Sequence, residues 1–590
     1  MKKVFLYIVL GLLIATPYSC EEDPEKEPDV IVDPEDPKEP VDPTDPNEAL
    51  LVIVENDAEA YALGNAVYPF LQSLSSSFSF LIELNTESTI SFEGDELRGA
   101  PVISRLEQAP KTGHDNPHDY PSKAWDKLYS SIGASNVALG KLVSTKVTAK
   151  LTESTKKTVI ARVKFTRALS YLYLVQLYGE VPLKLTTADA AKTSLASIDE
   201  IYTQIVKDLT EAEADLPEYD PNKANPSKGA ANAILARTYL IWGQNPLTKA
   251  QVEAIKNDRT DPAHTVNAER LQKAVEYADK VIDGGQYELL EDFNRNFGVA
   301  GENGAEHIFT IHHDGDGVDA GQSNHQTHCT FTNRFTAPEA DWHIGPADET
   351  VIDRFDDADK RKLLSYAIDL YNTDEDNKKY TWGFPVNSPL YGKWIHRSGY
   401  ATTPTTSATT GIVTPASILR AGGSVAAQPN NINRIEIRYA EVLLIKAEAL
   451  LFLNKASEGL PLVNQLRQRA GVPALTALTK EALFAEWELE LLFEQKHWTN
   501  LIRWKTYIAT ILTVENFEYY KSDYKDEVSI KAKAVERGYN AEEVNVPFYA
   551  KVYTHLRAKH ANVKGKFYRY PLPTLTAQDV IDANGNNPGY

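Results

Sequence analysis

The chain has 590 residues and a formal charge of −21, with 82 acidic against 61 basic side chains; no Lys/Arg cluster resembles a phosphate-binding stripe, which argues against a nucleic-acid partner. Only Cys20 and Cys329 are present, so no disulfide framework holds a folded domain together. The 30 tyrosines, 19 phenylalanines and 8 tryptophans must supply its buried area, with some surplus for binding surfaces.

Lys2 and Lys3, followed by the apolar run from Val4 to Ala15, have the anatomy of a cleaved export signal, too short to span a bilayer as a mature helix. The run leads into Thr16-Pro17-Tyr18-Ser19-Cys20. A small residue directly before a cysteine resembles the acylation site of bacterial lipoproteins, although Pro17 and Tyr18 depart from the usual Leu-x-x pattern. Residues 1–19 are thus expected to be removed and Cys20 to carry the lipid, anchoring the chain to a membrane it does not span. An ordinary secretory signal with an incidental cysteine is the alternative.

From Glu21 to Glu48 the chain is acidic and proline-punctuated, and it holds about half of the net charge. Such a tract buries too little apolar surface to offset its ordering entropy, and closely spaced prolines with like charges extend it. Residues 20–48 read as a tether, or more blandly as a solubilising linker. Acidic residues directly after the cysteine also resemble a surface-export signal of bacterial lipoproteins. Residues 49–590 remain as a single domain, with a helical scaffold over 49–286 and 434–510, an irregular region over 287–433 and a closing segment over 511–590.

Apolar spacing predicts helices over Ser122 to Val143, Ser154 to Tyr178, Ile198 to Leu216, Lys228 to Gly243 and Asn267 to Gly284. Gly179 follows the second and Pro217 the third, which is expected stop chemistry. The fourth is alanine-rich, so a neighbour can approach closely. A predominantly all-α fold follows, of helix pairs stacked as in tetratricopeptide repeats. Residues 287–433 break this pattern with Gly, Asp, Thr and Pro and short strand-like pieces such as His307 to Ile311. An irregular region this long is uncommon unless it carries function. Helices are expected to resume at Arg434, one ending at Gly471 and Pro473. Lys480 to Tyr507 follows as a long helix or helix pair with Thr479 as N-cap.

Arg438-Tyr439-Ala440-Glu441-Val442-Leu443-Leu444-Ile445-Lys446-Ala447-Glu448-Ala449 and Val463-Asn464-Gln465-Leu466-Arg467-Gln468-Arg469-Ala470-Gly471 resemble the signature of the SusD-like (RagB/SusD) family of nutrient-binding outer-membrane lipoproteins. Trp125-x3-Tyr129-x2-Ile132-x3-Asn136, Arg167-Ala168-x-Ser170-Tyr171 with Tyr178-Gly179-Glu180-Val181-Pro182-Leu183, and the closing Tyr570-Pro571-Leu572-Pro573 with Asn587-Pro588-Gly589-Tyr590 agree in order along the chain. Where relatives have Glu-Arg, Glu-Gly, Arg-Trp and Asp-Leu, this sequence has Glu486-Trp487, Glu494-Gln495, His497-Trp498 and Asn500-Leu501, ahead of a retained Arg503-Trp504. An altered internal salt-bridge network is expected there. The resemblance implies four tetratricopeptide-like pairs with the irregular region folded against them as the ligand face. It further implies a non-catalytic lid on a SusC-like TonB-dependent transporter, passing in oligosaccharides or, alternatively, peptides.

Sugar recognition needs flat aromatic faces beside hydrogen-bonding side chains. Trp342, Trp382 and Trp394, with Phe384, Tyr391 and Tyr400, fall in the irregular region and are the candidate ligand contacts; Phe92 and Tyr120 are weaker candidates for an opposite wall. Trp125, Trp242, Trp487, Trp498 and Trp504 lie in helical patterns and read as core. His312-His313-Asp314-Gly315-Asp316, with His325, His328 and Cys329, has ligand-type residues but neither zinc nor calcium-loop spacing, and no metal or other cofactor is assigned. No nucleophile elbow or phosphate-cradling glycine loop occurs. A glycosidase would need two carboxylates facing across a cleft, and nothing in the sequence singles out such a pair.

Overall fold

The structure, a computed structural model, describes residues 54–83, 89–91, 120–144, 151–297, 301–313, 344–346, 354–362, 433–512, 526–536, 563–570 and 577–588, with short pieces between 366 and 414 and isolated residues elsewhere. The export signal, Cys20 and the acidic tether lie outside them. Residues 50–590 gather into one compact unit.

In chain order the N-terminal half gives α1 (Asp57–Asn65), α2 (Pro69–Phe78), α3 (Tyr120–Val143), α4 (Glu153–Tyr178), α5 (Ile198–Asp215), α6 (Lys228–Gly243), α7 (Lys249–Ile255) and α8 (Ala268–Asp283). The later half gives α9 (Tyr439–Phe452), α10 (Ala456–Ala470), α11 (Lys480–Glu490), α12 (His497–Trp504), α13 (Tyr507–Leu512), α14 (Glu527–Glu536) and α15 (Gln578–Asn584). Helix α4 is buried along most of its length from Val159 to Tyr178, and its buried Arg167 is paired with Asp208 at 2.8 Å. It starts where the Thr152 hydroxyl accepts from the Thr155 N–H at 3.2 Å and stops at Gly179, whose φ of +80° suits glycine. Helix α5 is amphipathic and opens on a reciprocal Ser197/Glu200 capping box. The alanines of α6 are fully buried, which lets α5 and α8 close on it.

Helix packs on helix in a running stack: α3 on α4, α4 on α5, α5 on α6, α6 on α8, α8 on α9, and α9 on α10 and α11. Their apolar faces share one core that also takes in Tyr568, Tyr570 and Leu572 of the closing segment. The fold is the predominantly all-α, tetratricopeptide-like scaffold expected, and α3, α4, α5, α6 and α8 start and stop within two residues of their predicted bounds.

Two expectations need correction. Helices do not resume at Arg434: Arg434–Arg438 forms strand β2, antiparallel to β1 (His307–Ile311), and the helix begins at Tyr439. The reason lies in the Arg-Ile-Glu-Ile-Arg alternation, whose β-branched isoleucines suit a strand and whose charges each find a partner. Trp242 is not core: it is half-buried on α6, where its indole N–H donates to Asp199 Oδ1 at 2.6 Å, its ring stacks on Tyr202 and the Arg270 guanidinium covers it at 3.8 Å. The other four helical tryptophans are at most 4% exposed.

Candidate functional site

Strand β2 is buried at all five residues, an arrangement a polar-apolar alternation tolerates only if every charge is paired. Arg438, at its end, donates to Glu306 Oε1 at 2.7 Å, to Glu490 Oε1 at 2.6 Å and to both oxygens of Glu494 at 2.9 Å. Arg469 of α10 bridges Glu306, at 2.7 Å, and Glu490. Arg361 reaches Glu486 at 2.6 Å and Glu490 at 2.9 Å while forking onto Asp359. Lys393 donates to Glu494 at 2.7 Å and to the Glu490 carbonyl at 3.0 Å, and Arg467 completes Glu486 at 2.9 Å. Five cations (Arg361, Lys393, Arg438, Arg467, Arg469) thus meet five carboxylates (Glu306, Asp359, Glu486, Glu490, Glu494).

Charge balance decides the protonation states. Burial alone would push Glu490 up, but Arg469, Arg438 and Arg361 hold its carboxyl well below the usual range. Lys393 is lowered to about 8, chiefly by burial, with Glu494 opposing. The phenyl rings of Phe293 and Phe297 roof the cations, with the Lys393 ammonium about 5 Å from each.

The network joins two parts of the chain. Glu306, Asp359, Arg361 and Lys393 come from the irregular region; Arg438 follows it, and Arg467, Arg469, Glu486, Glu490 and Glu494 come from the scaffold. It pins the insertion onto α10, α11 and the turn after α11. In that turn Phe493 and Gln495 adopt left-handed φ values of 56° and 60°, a conformation that costs about 1 kcal/mol or more per non-glycine residue. The turn aims Glu494 inward, between Arg438 and Lys393. Of the replaced signature residues, Gln495 in this turn accepts from Arg434 at 2.8 Å, while on α12 Asn500 accepts from Arg503 at 2.7 Å and His497 sits 3.7 Å from Glu488.

A second network adjoins the first on β2. Arg237 of α6 donates to Glu436 at 2.6 Å and to both oxygens of Glu441 at 2.7 and 2.9 Å. Burial raises Glu436, yet Lys496, Arg434 and Arg237 outweigh it and bring its carboxyl to about 2. Arg503 and the Trp504 indole share Glu448.

Of the sequence-predicted ligand contacts, Trp342, Trp382, Trp394, Phe384 and Tyr400 lie outside the described residues, as do Phe92, Asp314, Asp316, His325, His328 and Cys329. Tyr391 is placed by its backbone alone, opposite Tyr366 in a two-residue antiparallel pair. Short strands adjoin the tryptophans along the chain. Ile344–Pro346, just after Trp342, pairs with Thr89–Ser91 and also touches Leu390–Tyr391, three residues before Trp394. Lys378–Tyr380, just before Trp382, pairs with Leu370–Asn372. His312 and His313 are tied to Tyr68 and Asn433 by their backbone N–H groups, and among the described residues no group of three or more His, Cys, Asp or Glu side chains is arranged for a metal ion.

Sequence reasoning missed Lys393, Arg361 and Glu306 as anchors. The available signal was the buried-strand alternation at Arg434 to Arg438, whose charges demanded partners from elsewhere.

Comparison with known proteins fits this architecture. The sequence model of the SusD family matches residues 276–590, and a second, described as starch-binding associating with outer membrane, matches residues 86–240. The chain is 26% identical over 413 residues to SusD-like protein P2 of Formosa agariphila, covering 65% of this chain and 72% of that one. Among solved structures, a SusD homolog from Bacteroides thetaiotaomicron superposes with a TM-score of 0.63 at 20% identity, over 93% of this chain and 99% of that one. A laminarin-binding SusD-like protein does so with a TM-score of 0.60 at 21% identity, over 91% and 100%. With a helical stack that carries a long insertion pinned by buried charge, and with a family match over more than half its length, the chain belongs to the SusD family.

Proposed function

We propose that the chain is a non-catalytic glycan receptor of the outer membrane, anchored through an acylated Cys20, displayed outward on the 20–48 tether, and handing oligosaccharide to a SusC-like TonB-dependent transporter. Membership of a family whose second matching model is described as starch-binding and outer-membrane associated carries this reading; the laminarin-binding neighbour has the same fold. The ligand face is the 287–433 insertion. Trp342, Trp382 and Trp394, with Phe384, Tyr391 and Tyr400, supply the ring faces on which pyranose C–H surfaces stack. The contact between Ile344–Pro346 and Leu390–Tyr391 supports this, because it draws together chain positions next to Trp342 and Trp394.

Titration calorimetry of the mature protein against laminarin, starch and xyloglucan oligosaccharides, with chromatography of the mixtures afterwards, tests the proposal. Retention of intact oligosaccharide with a saturable isotherm is the expected result. Appearance of hydrolysis products, or no binding to any glycan with saturable binding to a peptide mixture instead, overturns it. Trp342→Ala, Trp382→Ala and Trp394→Ala should each weaken retention, and unchanged affinity in all three removes the site assignment.

A further inference from the structure

A cleft lined by none of the described residues of 287–433 lies where the C-terminal end of α12 meets α4, the end of α6 and the closing segment. Gln176, Gln244, Thr499, Arg503, Lys505 and Arg569 line it, and it has room for about three water molecules. Three of those six side chains are cations.

Two of the cations are already satisfied. Arg503 forks onto Glu448 at 2.8 and 3.0 Å, and Arg569 is paired with Glu180 and the Leu247 carbonyl. Lys505 is different. It is only 6% exposed, yet among the described residues no carboxylate pairs with its ammonium, whose one hydrogen bond is a 3.3 Å contact to the Ile502 carbonyl at the end of its own helix. Asp261 is the acid that acts on it electrostatically, but its oxygens already accept from the Ile508 and Ala509 N–H groups, both at 2.7 Å, and from the Tyr568 hydroxyl. Lys505 also holds a left-handed backbone, φ +56°, which a glycine would adopt without strain. A lysine here therefore carries backbone strain, desolvation and repulsion from two guanidiniums, offset by Asp261 at a distance and by the partial negative charge of the helix C-terminus.

We propose that this cleft binds one small inorganic anion of halide size, held by the Lys505 ammonium, with the guanidiniums of Arg503 and Arg569 adding positive potential. Gln176 brings a further donor, because its amide nitrogen has one N–H beyond that given to the Leu172 carbonyl at 3.1 Å. Burial and the two arginines lower Lys505 to about 7, so an anion supplies the countercharge that keeps it protonated at neutral pH. The space in the cleft suits a small ion better than a sugar acid or a phosphorylated ligand. The ion would tie the end of α12 to the segment containing Tyr568 and Arg569.

Bromide is the probe. Crystals grown in sodium bromide should give an anomalous peak between Lys505 Nζ and the two guanidiniums. In solution, sodium bromide should raise the melting temperature above that in sodium gluconate at equal ionic strength, by on the order of 1 °C at ten times the dissociation constant; gluconate is too large to enter. Lys505→Met and Lys505→Gln should lose that difference while melting normally in gluconate. No peak in the cleft, peaks at surface lysines alone, or an undiminished bromide response in both variants overturns the proposal, and the anomalous measurement decides it on the unmodified protein even if the variants fail to fold.

Discussion

Arg438 and Glu490 meet at 2.6 Å in the interior, both at most 1% exposed, although 52 residues separate them. Glu490 is also the shared carboxylate of Arg361 and Arg469, so one side chain neutralises parts of three guanidiniums. Glu490→Gln keeps the shape and removes the charge. Breaking a buried pair from one side typically costs about 3–5 kcal/mol, and a loss of that order is expected in urea unfolding at pH 7. The pH dependence has a definite sign. A carboxyl depressed below its unfolded value of 4.5 contributes stability fully above that pH and loses it as pH falls below it. The gap between wild type and Glu490→Gln should therefore narrow below pH 4.5. A constant gap from pH 7 down to pH 3 would show that Glu490 does not carry the network.

Glu83 behaves in the opposite way. Its carboxylate accepts from the Gln495 N–H at 2.6 Å, but burial raises it to about 7, against the pull of His497 and Lys393 and with the push of Glu494. A raised folded-state value means that the contribution is fully present below about 4.5 and is lost as pH rises to 7. Glu83→Gln keeps the acceptor and discards the titration. It should match wild type at pH 4 and exceed it at pH 8 by about 3 kcal/mol, measured by the urea midpoint at the two pH values. Equal midpoints at pH 8 would refute the assignment.

The helices were legible because their information is local. In α4 the apolar spacing, Thr152 and Gly179 all lie within the segment they define. Strand β2 was not legible as a strand, because what makes Arg434, Glu436 and Arg438 tolerable inside lies on α6, on α11 and at Glu306, far away in sequence. Lys393 escaped notice for the same reason: an isolated lysine in a loop reads as solvated until Glu494 is seen aimed at it. Of the signature stretch quoted from the sequence, Glu486, Glu494, Gln495 and Asn500 stand in charged or polar pairs in the structure. Trp242 misled because helical periodicity locates a face without saying how deeply it is covered. The aromatic candidates of the insertion were chosen by residue type and loop position, which carry no shape information.

Lys393 links the scaffold to the proposed ligand face, lying between Tyr391 and Trp394 in the chain. Lys393→Met should leave Glu494 paired with Arg438 alone and release the local tether that fixes this stretch of the insertion. If the aromatic residues beside it bind glycan, affinity for a ligand identified by calorimetry should fall by about tenfold, a loss near 1.4 kcal/mol, while far-ultraviolet circular dichroism stays unchanged. Unaltered affinity would separate the ion pair from recognition.

Gly179 lies where three constraints coincide. Its φ is +80°, a Cβ added there would run into the Arg569 guanidinium, and that guanidinium is paired with Glu180. Gly179→Ala should destabilise by about 1–3 kcal/mol from the strain of its positive φ alone, with displacement of Arg569 adding to it. The two contributions can be separated by a double-mutant cycle. In an Arg569→Ala background the added methyl meets open space in place of the guanidinium, so the cost of Gly179→Ala should shrink to the strain component. If the cost is the same in both backgrounds, the glycine is required by its backbone angle and not by the close approach of Arg569.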